Sequence, residues 1–180
     1  MKFVEPIREI NDIKRVEYIL LRQNPRNLVL FTIGTNCGLR ISDILALNVD
    51  DVKDKNFIQI TEKKTGKFKK FPINSKLKPM LDEYTKNKRI EEPLFTTKFK
   101  NRMSRVYAYK MISNACREAG LNDSFGTHTL RKTFGYHHYK LHKDVAILQK
   151  MFNHSSPDIT LRYIGINEDI LFESYSNFIL

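Results

Sequence analysis

"NFIQITEKKTGKFKKFPIN", residues 56–74, is where the chain changes its period. On either side apolar residues recur at helical spacing. Here the pattern reads strand, turn, strand, with Thr65-Gly66 near the tip of the hairpin. One hairpin set among helices makes the fold mainly α with a small antiparallel β-sheet, an α+β domain. No repeats, low-complexity segments or Gly/Ser linkers divide the chain, so residues 1–180 read as a single domain.

The helices can be placed around that hairpin. "NDIKRVEYILLR" carries Ile13, Val16, Ile19 and Leu20 on one helical face. In "NPRNLVLFTIGTNCG", Asn24 suits an N-cap and Pro25 the first helical position. Its run through Phe31 is nearly all apolar, which predicts a central helix. Gly38 ends it, and "SDILAL" follows as a short helix. After the hairpin, helices are predicted from about Lys76 to Lys86 and from about Ser104 to Glu118, the latter closed by Gly120. "THTLRKTFGYHHYKL" is predicted to be capped by Thr127 or Thr129. "DVAILQKMF" is a short helix. Ser156 caps the next, with Pro157 at its first position and Asp158 on the positive end of its dipole. Residues from Asn167 read as a last amphipathic helix.

Composition narrows the partners. The chain has 180 residues, of which 41% are hydrophobic, enough for a packed core. No window reaches the roughly 18 to 20 apolar residues that span a bilayer. The N-terminus, with acids and a proline, does not read as a signal peptide. Cys37 and Cys116 stand singly in apolar segments and resemble neither a disulfide framework nor a metal knuckle, which suits a reducing cytoplasm. Lys and Arg outnumber Asp and Glu by 31 to 20, a net charge of +11 that points first to nucleic acid.

Several residues could do chemistry on a phosphodiester. Arg40 follows Gly38-Leu39 at a helix break. Arg131 lies one turn after His128. His154 precedes a helix that ends on Tyr163, and Lys64 sits at the hairpin tip. Arginine forks neutralise non-bridging oxygens. Histidines donate hydrogen bonds or move protons near neutral pH. Tyrosine is a covalent nucleophile once its proton is removed. Taken singly, each has a plainer reading as a solvated helix end, a cap, a core-rim ring or a loose phosphate contact. The i, i+4 pair His138/His142 has no third ligand in the sequence and reads as a solvated face rather than a metal site.

Three ordered segments break the tie. "GTNCGLRISDILALNVDDV", "HTLRKTF" and "FNHSSPDITLRYIGI" together resemble the tyrosine recombinase (phage integrase) family from about Asp12 to the end. Arg40 falls on the arginine of the first box. His128 and Arg131 match the second box. His154 and Tyr163 match the third, in which a threonine and the nucleophilic tyrosine follow the histidine. "EKKTGK" is similar to the family's strand-turn lysine, with Lys64 aligning best. Asn153 stands where the family usually has Gly; if the backbone there is left-handed, Asn is the least costly replacement. Lys132 stands where a His is common. The family's additional N-terminal helical domain has no counterpart here, so the resemblance covers a catalytic domain alone.

The resemblance implies a site-specific recombinase or integrase. Tyr163 would attack double-stranded DNA to give a 3′-phosphotyrosyl link and a free 5′-hydroxyl. Arg40 and Arg131 would stabilise the transition state, and Lys64 would protonate the leaving oxygen. His128 would assist proton transfer at the tyrosine. His154 would hydrogen-bond a non-bridging oxygen, and Asp43 would brace Arg40. No cofactor or metal is implied. The resemblance also implies a homo-oligomer, a tetramer on DNA, with the tail 167–180 exchanged between subunits; the alternative is that the tail folds back on its own domain. Two other readings stay open: strand relaxation like a type IB topoisomerase, which shares the chemistry but reseals the same strand, and a non-catalytic DNA-binding protein derived from the family.

Overall fold

The protein is described from a computed structural model that covers residues 4–166 and 175–178. The tail expectation falls largely on residues outside this range. Within it the order is α1 (Ile10–Gln23), α2 (Pro25–Cys37), α3 (Ile41–Ile44), a 3-10 turn (Val49–Asp51), β1 (Phe57–Thr61), β2 (Phe68–Pro72), α4 (Leu77–Thr85), α5 (Arg105–Glu118), α6 (Thr127–His142), α7 (Val145–Phe152) and α8 (Pro157–Tyr163). Helices around one two-stranded antiparallel sheet are the fold class that the sequence predicts.

Local chemistry explains most boundaries. The Asn24 side chain accepts from the Arg26 N–H, and Pro25 opens α2 where its missing N–H costs nothing. Helix α5 starts under Ser104, whose hydroxyl accepts from the Tyr107 N–H. It ends where Gly120, at φ 80°, turns left-handed. The Gly120 N–H then reaches the Arg117 carbonyl, and the Leu121 N–H reaches that of Cys116. One expectation is corrected. The N-cap of α6 is Gly126, not Thr127 or Thr129. Thr129 instead reaches back, its hydroxyl accepting from the Gly126 N–H at 3.0 Å.

Helix α2 is central, as its apolar run predicts, and packs on α1, α4 and α6. Leu30, Phe31 and Ile33 are fully buried there with Val16 and Leu20 of α1, Leu81 of α4 and Ile112 of α5. A second, smaller cluster of Leu148, Phe152 and Ile164, with Phe134 and Tyr163 against it, ties α7 and α8 to α6. Gly135 makes that contact possible: a Cβ there would lie 2.6 Å from Ile164 Cγ2 and 2.8 Å from the Phe152 ring.

The strands pair from Phe57 opposite Pro72 to Thr61 opposite Phe68. A lone hairpin is marginally stable in water. This one is anchored by Ile58, Ile60 and Phe71 in the main core. It is also tied to the end of α7: Lys69 Nζ donates to the Met151 carbonyl at 2.6 Å and Lys67 Nζ to Asn153 Oδ1 at 2.5 Å. Cys37 and Cys116 are buried and free. Among the described residues no helix is long and apolar enough to cross a membrane.

Candidate active site

Arg40 owes its position to Gly38. Helix α2 ends there with φ 62°, a left-handed turn. A Cβ at Gly38 would lie 2.4 Å from the Phe134 ring of α6, so the turn sits flush against that helix. The chain then runs extended through Arg40, the N-cap of α3. Arg40 Nη1 donates to Glu62 Oε1 at 2.7 Å, an ion pair whose carboxylate is wholly buried.

Arg131 rises from α6 on the other side of the same turn. It is 4% exposed. One Nη donates to the Gly38 carbonyl at 2.5 Å and the other to the Phe152 carbonyl at 3.1 Å. Its guanidinium lies 4.2 Å from the Phe152 ring centroid. A single side chain thus joins the ends of α2 and α7. Burial lowers its pKa, opposed by the nearby Tyr163, Glu62 and Asp43.

His154 is placed by a left-handed C-terminus. Asn153 has φ 55° and ψ 46°, so the backbone form that Asn tolerates best is the one adopted. The Asn153 N–H reaches the Lys150 carbonyl and the His154 N–H that of Gln149. His154 Nδ1 lies 3.1 Å from Thr160 Oγ1. That hydroxyl donates to the Ser156 carbonyl at 3.2 Å. Its proton is therefore spent, and Oγ1 accepts from His154 Nδ1–H, which leaves Nε2 for a ligand.

Burial, then the charges of Arg131, Arg40, Lys64 and Lys69, push His154 down to about 4 from 6.5. The folded value lies below the unfolded one. Between these two values the unfolded chain binds the extra proton, so stability falls as pH drops through that window. A bound phosphate should raise the value again, because an anion favours the imidazolium. Histidine NMR, with His154→Ala for assignment, should show a midpoint near 4 in the free protein and a higher one on duplex DNA. A free-protein midpoint at the ordinary histidine value would contradict this electrostatic picture.

Tyr163 closes the group. Ser156 caps α8, its hydroxyl accepting from the Ile159 N–H, and two turns later the helix delivers Tyr163. Its hydroxyl is 3.5 Å from His128 Nδ1. Its ring meets those of His154 at 5.1 Å and Phe152 at 5.6 Å, both edge-on. Lys132 Nζ stands 5.4 Å from its centroid. Burial raises the phenol pKa, while Arg131 and Arg40 pull it back. Burial, with Arg105 and Lys132 next, lowers that of His128. His128 is therefore neutral at pH 7 beside a protonated phenol, and its Nδ1 accepts from the hydroxyl in the tautomer that carries the proton on Nε2.

Lys64 is exposed at the hairpin tip, and its charge is felt by both His128 and His154. Asp43 is arranged differently from the expectation. The carboxylate partner of Arg40 is Glu62, whereas Asp43 Oδ1 accepts from the Lys63 N–H at 3.1 Å. Asp43 thus braces the lysine turn, and its charge acts on Arg131. Sequence reasoning passed over Glu62, Lys69 and Thr160. Lys69 Nζ lies 3.5 Å from Glu62 Oε1. A lone acid in a run of lysines was the available signal for Glu62. Thr160 is the threonine of the third box, and its contact with His154 appears only in the fold.

Arg40, His128, Arg131, His154 and Tyr163 come from two helices, α6 and α8, and from the turns before α3 and after α7, in the order of the three boxes. The phage integrase family matches residues 9–169. The chain belongs to that family. A probable integrase/recombinase of Bacillus subtilis, YoeC, is 47% identical over 179 residues, covering 99% of this chain and 98% of that protein. A tyrosine recombinase of Pseudothermotoga lettingae is 27% identical over 155 residues, covering 84% of this chain and 54% of that one. The integrase-family chain thus spans nearly all of the first relative but about half of the second. The crystal structure of XerA recombinase superposes with a TM-score of 0.79 at 20% identity, covering 96% of this chain and 63% of that one, which supports the fold.

Proposed function

We propose that this integrase-family chain cleaves and rejoins double-stranded DNA as a site-specific recombinase, with Tyr163 as nucleophile. The observation that carries the reading is the convergence of two arginines, two histidines and a tyrosine, with a lysine-bearing turn beside them. Tyr163 Oη loses its proton to His128 and bonds to phosphorus. The 5′-oxygen leaves, taking a proton from Lys64. Arg40 and Arg131 meet the charge that grows on the non-bridging oxygens, and such preorganised donors are the largest source of rate in sites of this kind. His154 adds a hydrogen bond from its Nε2 side once the phosphate has raised its pKa. Attack by another strand's 5′-hydroxyl reverses the step and conserves the bond energy.

In this reading the chain acts as one catalytic domain in the cytoplasm. It works as a tetramer on DNA, with the tail 167–180 passing between subunits. Exposed apolar side chains on the two helices that precede the tail in the chain support the exchange: Ile147 and Met151, one turn apart on α7, and Ile159 on α8 are large, hydrophobic and exposed.

The test is a nicked suicide duplex that traps a covalent adduct, mapped by mass spectrometry. An adduct on Tyr163 with recombined product supports the proposal. Relaxed plasmid without recombined product points to a topoisomerase-like activity, and binding without adduct defeats the catalytic reading. Lys64→Ala should slow cleavage by about 10²-fold, within the usual span for one general acid. A 5′-sulfur leaving group, which needs no proton, should restore most of the loss. Rescue at Lys63→Ala instead would move the assignment by one residue.

A further inference from the structure

Glu62 sits among the cations of the site without a role in the chemistry above. Its side chain is fully buried. Oε1 accepts from Arg40 at 2.7 Å and lies 3.5 Å from Lys69 Nζ. Oε2 accepts from the Thr65 hydroxyl at 2.6 Å. The backbone closes the same turn: the Gly66 N–H donates to the Glu62 carbonyl at 2.8 Å, and the Glu62 N–H to the Lys67 carbonyl at 2.9 Å. Lys64 lies inside this ring of bonds.

Burial alone would raise the Glu62 carboxyl. The Thr65 hydrogen bond and the charges of Lys69, Arg40 and Arg131 outweigh it and hold the group below its usual range. Glu62 is therefore ionised at neutral pH. Because the carboxylate is wholly buried, a phosphate arriving from solvent cannot take its place. It holds Arg40 through Nη1, while the Arg40 side chain itself stays 18% exposed.

We propose that Glu62 is a positioning residue that locks Arg40 and the Lys64 turn into one fixed relation, so that both reach the same phosphate. The inference rests on the strand-cleavage reading. It goes further in assigning one buried carboxylate to two separate catalytic functions. The Thr65 hydroxyl is its link to the lysine turn alone, and this makes the two arms separable.

The experiment measures single-turnover adduct formation on suicide duplexes with a 5′-oxygen or a 5′-sulfur leaving group. Thr65→Val cuts only the lysine arm. It should slow the oxygen substrate by about 10-fold and be restored by sulfur, since misplacing a catalytic group by a fraction of an ångström costs this much. Glu62→Ala cuts both arms. It should slow the oxygen substrate by about 10²-fold and recover only in part on sulfur. Lys64→Ala/Glu62→Ala should remain slower than Lys64→Ala on the sulfur substrate, because the Arg40 arm is still lost. Glu62→Gln keeps an acceptor for Arg40 and should fall between wild type and Glu62→Ala.

Duplex affinity should change by no more than about threefold in Thr65→Val, Glu62→Gln and Glu62→Ala, since these substitutions remove no phosphate contact. Wild-type rates in Thr65→Val and Glu62→Ala would overturn the proposal. So would equal losses on both substrates for Thr65→Val, or a loss confined to affinity. If Glu62→Ala fails to fold by melting, Thr65→Val and Glu62→Gln decide the matter. A wild-type chain that forms no adduct defeats the cleavage reading itself, an outcome distinct from any difference among variants.

Discussion

Tyr163→Phe should bind DNA, melt within about 4 °C of wild type and form no covalent adduct. The substitution removes one oxygen. The ring contacts to Phe152, His154 and Lys132 do not involve that oxygen, so the packing of α8 persists. The hydroxyl makes a long 3.5 Å approach to His128 and also accepts a hydrogen bond from the Arg131 side chain. Arg131 keeps its bonds to the Gly38 and Phe152 carbonyls without it, so the loss of stability should be small, about 1 kcal/mol. In the proposed mechanism this oxygen is the nucleophile, an all-or-none role, so the adduct should fall below detection on the suicide duplex. Gel-shift affinity and thermal melting, run on the same preparation, separate chemistry from folding. An adduct that persists would move the nucleophile elsewhere. Tyr175, which is 82% exposed, is the next candidate.

How far the sequence reveals such a site depends on the range of the forces that build it. The start of α2 is local: Asn24 and Pro25 announce it, and the cap hydrogen bond forms as read. The left-handed Asn153 is also local, because Asn is the cheapest non-glycine residue in that conformation. The alternating hairpin is legible from its period. What the sequence concealed depends on contacts between distant segments. Gly126 caps α6 through Thr129, where a threonine at the start was the natural candidate. Asp43 looks like a brace for its neighbour Arg40, yet it turns to the Lys63 backbone twenty residues on. Glu62 becomes the partner of Arg40 only when the hairpin folds over α3. Its lone negative charge among lysines was a sign that something positive had to meet it, but not which group.

Arg131→Ala should be the most damaging change to the fold and the chemistry together. The side chain supplies N–H donors to two buried carbonyls, Gly38 at 2.5 Å and Phe152 at 3.1 Å. Each buried acceptor left without a donor costs about 1–3 kcal/mol. Losing the contact with the Phe152 ring adds to this, while relief from burying a charge subtracts. A net loss of about 3 kcal/mol should lower the melting temperature by about 6–12 °C for a chain of this size. The positions of Arg40, which follows Gly38, and of His154, which follows Phe152, both depend on those carbonyls. In the proposed mechanism alanine therefore removes one transition-state donor and loosens two neighbours, and cleavage should fall by at least about 10³-fold. Arg131→Lys separates the effects. A lysine keeps the charge but cannot fork to two carbonyls and a phosphate at once. It should regain part of the affinity for DNA but little of the cleavage rate. If lysine restores cleavage fully, the arginine acts as a charge alone, and the two carbonyl bonds do not hold the site in register.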